Sequence, residues 1–258
     1  MARCDPLRSA RSRPEVPIPP LIDLWQRLVG TQPDPPSWIL LGSGALALVT
    51  VVSRRTWPVF RNVVTIAHEG GHALVALVTR RRLSGIRLHS DASGVTVSRG
   101  KPTGPGMFFT TAAGYVSPSL LGLGGALTLA GGHITALLWM SIALLAAMLV
   151  AIRNAFGVAS ILGTGVTIFL VSWLTSPTVQ AAFGYLFTWF LLLGGVRPVM
   201  ELQRLRRHRR APHSDADQLA RLTGVPGGLW VAVFALITIA TLVAGGRWLL
   251  DGAGVLSG

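Results

Sequence analysis

The chain has 258 residues, of which 50% are hydrophobic and only 13% are charged, whereas a soluble domain carries about a quarter of its residues as charges. A mean hydropathy of +0.55 and several apolar runs near the ~20 residues that cross a bilayer exclude an ordinary soluble protein. The net charge of +13 does not indicate nucleic-acid binding, because the arginines gather at the ends of apolar runs. There they set topology and contact anionic lipid head groups. The sequence therefore predicts an all-α polytopic membrane protein that is embedded in the lipid bilayer and has no nucleic-acid partner.

Residues 1–37 are predicted to form a disordered tail rich in Arg and Pro. Within it, Leu21 to Val29 is a short amphipathic stretch, suited either to the membrane surface or to a linker. The tail lacks the apolar segment of a cleavable signal peptide. Cys4 is the only cysteine, so neither an intrachain disulfide nor a cysteine-ligated metal site is expected.

A membrane-embedded domain is predicted over residues 38–250, followed by a short tail over 251–258. Its first apolar run, Trp38 to Val52, is short for a span and is suited to a tilted or re-entrant segment. The second run, about Trp57 to Thr79, ends at three arginines. Residues 83–101 form a polar interval in which alternating apolar residues flank a turn-prone Ser-Asp-Ala-Ser-Gly stretch, which predicts a β-hairpin.

The rest of the domain is divided by three breaks, at Gly131-Gly132, at Arg153-Asn154 and at Thr175-Ser176-Pro177. They separate residues 106–196 into four spans of helical transmembrane length. A basic loop is predicted over residues 197–227, and a last span over about 228–246. The total is six or seven transmembrane helices, with the short hairpin after the second apolar run.

The arginines also predict orientation, because cytoplasmic loops carry an excess of Lys and Arg. With seven spans, the N-terminus and the 197–227 loop both lie on the cytoplasmic side. Arg54 and Arg55 then fall on the wrong side, which would also be explained if the first run does not fully cross.

The second apolar run contains His68-Glu69-Gly70-Gly71-His72. Residues four apart share one face of a helix, so both imidazoles can reach one metal ion. The adjacent Glu69 is then the candidate catalytic residue, a general base towards water at the metal. A carboxylate inside a span is costly to bury and indicates a functional site by default. Close helix packing explains Gly70 and Gly71 as well as room for a substrate does.

Catalytic zinc takes three protein ligands and keeps one position for water, so a third ligand must come from elsewhere. His133 is predicted at a span boundary on the far side, and His89 and Asp91 fall in the hairpin turn. The remaining candidates are Asp215 and Asp217, just before the last span. Capping of a short helix by this segment is an equally good explanation, and the two roles can be divided between the two aspartates.

The motif and the segment Ala113-Gly114-Tyr115-Val116-Ser117-Pro118 at the start of the next span make the sequence resemble the site-2 protease group, the M50 family of intramembrane metallopeptidases. The segments Arg153-Asn154-Ala155-Phe156-Gly157 and Ser214-Asp215-Ala216-Asp217-Gln218-Leu219-Ala220 are similar to those of the M50B-like bacterial branch. The resemblance covers roughly residues 58 to 246.

The resemblance implies zinc as the cofactor, with His68 and His72 as ligands, and a transmembrane protein as the substrate. It further implies a location in a bacterial cell membrane. It also implies substrate-binding roles for Gly114 and Asn154. The family's usual third ligand is an aspartate at the position that Leu162 occupies here, so Asp215 is expected to replace it, with Asp217 as the fallback.

The sequence thus predicts a zinc-dependent intramembrane endopeptidase that cleaves a membrane-protein client, with activity depending on a complete third ligand. One alternative is a catalytically inactive homologue that binds metal or clients. A metal or proton transporter is a weaker alternative, because transporters spread intramembrane ionisable groups along a path. The sequence makes no prediction about oligomeric state.

Overall fold

The computed structural model describes residues 30–33, 35–208 and 214–251. The elements in these ranges are α1 (Ser37–Val52), α2 (Trp57–Val78), β1 (Arg82–Leu88), β2 (Gly94–Arg99), α3 (Pro105–Ala130), α4 (Ile134–Ala151), α5 (Ala155–Leu174), α6 (Pro177–Arg207), α7 (Asp215–Thr223) and α8 (Gly227–Asp251). The predicted all-α fold with one hairpin after the motif helix is confirmed. Residues 1–29, which include the amphipathic stretch of the tail, lie outside the described residues, as does the chain after Asp251.

The helices end where glycine or proline interrupts the apolar pattern. α3 ends before Gly131, and the next residue, Gly132, has a φ of 74°, which glycine adopts without steric cost. α5 ends shortly before Pro177, which opens α6 at a position where a missing N–H breaks no helical hydrogen bond. The predicted breaks therefore separate four helices between Pro105 and Arg207.

Five helices, α3, α4, α5, α6 and α8, are long and apolar enough to cross a bilayer. α1 and α2 are bent by 100° relative to each other and together make at most one further span. The described helices thus provide up to six spans, the lower of the two expected numbers. α4 and α5 leave many large apolar side chains exposed, among them Leu144, Phe169 and Trp173, as expected for a surface that faces lipid.

Arg197 of α6 stabilises the bend between α1 and α2. Its guanidinium donates a hydrogen bond to the Val51 carbonyl at the end of α1 and lies 4.7 Å from the ring centre of Trp57, the first residue of α2. The carbonyls at a helix C-terminus have no partner within the helix, and this arginine supplies one.

The basic segment predicted as a loop over residues 197–227 is helical over much of its length. α6 continues to Arg207, and α7 follows after residues 208–214. The reason is packing, because Val199 and Leu202 of α6 are buried in one cluster with Ala216 and Leu219 of α7. The arginines near the end of α6 therefore belong to a helix that continues past its apolar part.

The described chain begins at one end of the bundle, and α6 ends at the other. The Gln32 N–H donates to the Gly132 carbonyl at 2.8 Å, in the turn between α3 and α4. α6 starts next to this turn, where Gly184 faces Leu129 and Ile134, and runs away from it. Residues 31–32 and the 197–227 segment thus lie at opposite ends, whereas a seven-span count placed the N-terminus and this segment together.

The two strands form an antiparallel hairpin with Leu88 opposite Gly94. The outer edge of β1 is held by the turn between α4 and α5. There the Arg153 N–H donates to the Ile86 carbonyl at 2.9 Å, and Asn154 forms hydrogen bonds with both main-chain groups of Leu88. The hairpin is therefore anchored on one side to the bundle and lies against α2 on the other.

Candidate metal centre

The His-Glu-Gly-Gly-His motif lies in the interior of α2, as the spacing predicts. Glu69 is 3% exposed and His72 is 9% exposed, while His68 is half-buried. Gly71 allows α2 to approach α3 closely, because a Cβ atom at this position would lie 1.8 Å from the Ser117 hydroxyl oxygen. Close helix packing therefore explains this glycine.

Three side chains converge on one point beside α2. The Nε2 atoms of His68 and His72 are 3.1 Å apart, and Asp215 Oδ2 lies 3.4 Å from the first and 3.3 Å from the second. Zinc–ligand distances of about 2.0–2.1 Å in a tetrahedron place neighbouring ligand atoms about 3.3 Å apart. The three distances match this value, and these residues form the cluster able to hold a metal ion in the described part of the chain.

The chemistry of the donors also fits a cation. The Nδ1–H of His72 donates to the Thr110 carbonyl at 2.7 Å, so in the neutral ring Nε2 carries a lone pair. Asp215 Oδ2 is buried and accepts no hydrogen bond of ordinary geometry from the described residues. Lone pairs facing each other at such distances repel unless a proton or a metal ion lies between them, and one metal ion would satisfy all three donors. The hydrogen bond to Thr110 is the kind that orients a metal-binding histidine.

Asp215 is the first residue of α7, a short helix that does not cross the membrane. Ser214 caps this helix, and its hydroxyl accepts a hydrogen bond from the Asp217 N–H. The structure thus divides the two predicted roles, because Ser214 and Asp217 form the helix cap while Asp215 faces the imidazoles. Asp217, the fallback ligand, pairs with Arg206 instead.

The two aspartates both have lowered pKa values, for different reasons. Burial of Asp215 opposes its ionisation, but His72 and then His68 outweigh this effect and lower its pKa. Partial burial likewise opposes ionisation of Asp217, and hydrogen bonds from Ser214 and Arg206 lower its pKa nevertheless. Both side chains are therefore carboxylates at neutral pH.

The Glu69 carboxylate is held by the hairpin. The Thr96 hydroxyl donates to Glu69 Oε2 at 2.6 Å, and a Cβ atom at Gly94 would lie 2.7 Å from Glu69 Oε1. Strand β2 therefore covers the carboxylate directly. Among the described residues no hydrogen bond reaches Oε1, which leaves one oxygen able to accept a proton.

Of the other residues named from the sequence, one contacts the imidazoles and two lie elsewhere. Gly114 of α3 lies against the imidazoles, because a Cβ atom there would be 2.3 Å from His72 Nε2 and 2.7 Å from His68 Cε1. Asn154 binds the main chain of β1, and Leu162 is exposed on α5. A substrate-binding role for Gly114 or Asn154 stays a prediction.

Three other candidates from the sequence lie away from the cluster. His133 lies in the turn between α3 and α4, at the far end of the bundle. His89 and Asp91 lie exposed in the hairpin turn, where Asp91 accepts hydrogen bonds from Ser93. Hydrogen bonding within the turn therefore accounts for Asp91.

Sequence reasoning missed three residues that contact the site. Thr96 binds Glu69, Arg206 binds Asp217, and the Tyr115 ring packs edge-on against His68 with 4.8 Å between ring centres. Tyr115 lies in the segment that carried the family resemblance. Nothing in the sequence distinguishes Arg206 from its neighbouring arginines or Thr96 from other strand residues.

Fold and site together define a polytopic membrane protein with a His-Glu-x-x-His helix and a converging carboxylate. The Peptidase M50B-like family matches residues 41–245, and the chain belongs to this family. The assignment to the site-2 protease group made from the motifs is thereby confirmed. No curated protein and no solved structure matches the chain.

Proposed function

We propose that the protein is a zinc-dependent intramembrane endopeptidase. The observation that carries this proposal is the triangle of His68, His72 and Asp215, whose edges fit one tetrahedral zinc ion. When bound, zinc supplies a Lewis acid that polarises the scissile carbonyl and makes water acidic enough to act as a nucleophile near neutral pH. Within the M50B-like family, Asp215 then replaces the carboxylate that is missing at Leu162.

Glu69 is the proposed general base. It lies next to His68 in the helix and is nearly inaccessible to solvent, and Thr96 fixes one of its oxygens. The other oxygen would accept a proton from the attacking water and transfer it to the leaving amine. Burial also excludes bulk water from the carboxylate, which strengthens its interactions with the reacting groups.

A membrane-protein segment is the proposed substrate, because an apolar cavity of about 1330 Å³ borders the site. It reaches the motif helix at Gly70 and Gly71 but is not lined by the imidazoles or by the two carboxylates. Its other walls include α3, α4, α6 and α8, with Phe108, Leu144 and Phe234 among the lining residues. An apolar segment could lie in this cavity and present an unwound stretch to the metal centre.

The hairpin offers a second contact for the unwound substrate. Among the described residues β2 pairs only with β1, so its other edge could receive an extended segment by strand addition. We place the protein in a bacterial cell membrane, with the 197–227 segment on the cytoplasmic side by the excess of arginine.

Metal content tests the site first. Purified protein is expected to hold about one zinc per chain, and this zinc should be lost when His68→Ala and His72→Ala are combined. Wild-type protein that folds without binding zinc would contradict the proposal and would favour a non-enzymatic scaffold.

A cleavage assay tests the proposed role of Glu69 as general base. Wild-type protein and a Glu69→Gln variant would each be co-expressed with tagged single-span membrane proteins of the same cell, and shortened fragments would be scored. We expect Glu69→Gln to keep its zinc but to produce no fragments, whereas the control Glu201→Gln, whose carboxylate pairs with Arg197, should cleave. Zinc binding without cleavage by the wild type would identify a metal-binding homologue that is not a peptidase.

A further inference from the structure

We infer that Arg206 is a positioning residue for the proposed metal centre and that it acts through the cap of α7. Its guanidinium holds the first turn of α7 in the one orientation that directs the Asp215 carboxylate at His68 and His72. The inference rests on the proposed function, since it assigns a role towards the metal that these three side chains would bind.

The contact begins at the end of α6. Arg206 Nη1 donates to Asp217 Oδ1 and lies 3.3 Å from the Ser214 hydroxyl oxygen. That hydroxyl donates to Asp217 Oδ2 at 2.7 Å. Both carboxylate oxygens of Asp217 are thus fixed, one by the arginine and one by the helix cap.

Asp215 lies between the two residues that this network holds. α7 has nine residues, and Asp215 is the first of them. On the other face, Ala216 and Leu219 are fully buried in one apolar cluster with residues of α3, α6 and α8. The packing sets how deep α7 lies, and the polar network sets the rotation of its first turn. A change of rotation would carry Asp215 Oδ2 away from both imidazoles.

Arg206 also connects the start of α8 to this network. A Cβ atom at Gly227 would lie 2.4 Å from Arg206 Nη2 and 3.1 Å from the Ala216 carbonyl oxygen. The guanidinium therefore passes directly over Gly227, and only a residue without a side chain leaves room for it. One arginine thus contacts the end of α6, the cap of α7 and the beginning of α8.

The neighbouring residues make suitable controls. Arg207 is exposed one position further along α6, and a Cβ atom at Gly228 would meet nothing within 4 Å. Each control has the same charge or size as the residue that it matches, but neither contacts the cap of α7.

The experiment measures metal affinity with zinc and cobalt alone, so no substrate is required. Purified full-length protein would be titrated with each ion against a competing chelator, and the cobalt absorption spectrum would report the coordination. We expect Arg206→Gln to weaken binding about 10–100-fold, the usual cost of removing a residue that orients a ligand. Arg206→Lys should recover part of the affinity, and Arg207→Gln should bind as the wild type does.

A comparison of Gly227→Ala with Gly228→Ala tests the role of Arg206 independently, because neither substitution changes a charge. The first should weaken metal binding by displacing Arg206, and the second should leave it unchanged. Wild-type affinity in both Arg206→Gln and Gly227→Ala would overturn the role of Arg206 and leave the proposed function intact. A wild-type protein that binds neither ion would instead overturn the proposed function itself.

Discussion

Replacing Gly114 by alanine places a methyl group where α3 passes the two imidazoles of α2. The added carbon would lie 2.3 Å from His72 Nε2 and 2.7 Å from His68 Cε1, whereas non-bonded heavy atoms prefer separations of about 3.5 Å or more. The His72 ring would have to retreat by about 1 Å, and zinc sites tolerate errors of only about 0.2 Å in ligand distance. We therefore expect Gly114→Ala to lose most of its zinc affinity, by about 100-fold or more given the larger displacement.

The assay is zinc retained per chain after dialysis against a series of chelators. Gly124→Ala is the matched control, because it lies in the same helix and its Cβ atom would meet nothing within 4 Å. A helical alanine is favoured over glycine by roughly 0.5–1 kcal/mol, so neither variant should lose its fold through helix propensity. Gly114→Ala that retains zinc as tightly as Gly124→Ala would refute the proposed location of the metal between His68 and His72.

Three further predictions concern the hairpin and the orientation of the chain. Thr96→Val should lower the cleavage rate without removing zinc, because it deletes the hydrogen bond to the proposed base, and Thr96→Ser should restore the rate. Asn154→Ala should lower the free energy of unfolding by about 1–3 kcal/mol, because both main-chain groups of Leu88 lose their hydrogen-bond partner. Denaturant unfolding in detergent measures this change, and an unchanged midpoint would contradict the anchoring of β1 by Asn154. In a Cys4→Ser background, cysteines would be introduced one at a time at Thr31 and at Arg207. An impermeant thiol reagent should reach these two positions from opposite sides of the membrane, because they lie at opposite ends of the bundle. Labelling of both positions from the same side would contradict this arrangement.

The fold could be predicted where local chemistry dictates it. Glycines and prolines mark the ends of α3 and α5, and the alternation around a Ser-Asp-Ala-Ser-Gly turn marks the hairpin. The extension of α6 to Arg207 was missed because its arginines indicated a loop. The helix continues because Val199 and Leu202 are buried in the apolar cluster that also includes residues of α7. In the sequence, this tertiary contact is visible only as two apolar residues within a basic segment.

The parts of the site that lie on one helix could be predicted, whereas the parts that depend on packing between helices could not. The spacing of His68, Glu69 and His72 reveals their shared face, because one helix presents all three. Asp215 could be named only as a candidate, since its approach depends on the packing of α7 against α3 and α8. The contact of Arg206 with the cap of α7 depends on the same packing, and no periodicity in the sequence encodes it.

The position of Asp215 on α7 has a consequence for how the protein matures. During synthesis the helix with His68 and His72 emerges long before residue 215, so a nascent chain holds two imidazoles without their carboxylate. Under the proposed function, a copy that has not yet docked α7 against α3 and α8 has no complete hydrolytic centre. Proteolytic competence would then arise only with the finished bundle, and unfinished copies could not cut neighbouring proteins in the same membrane.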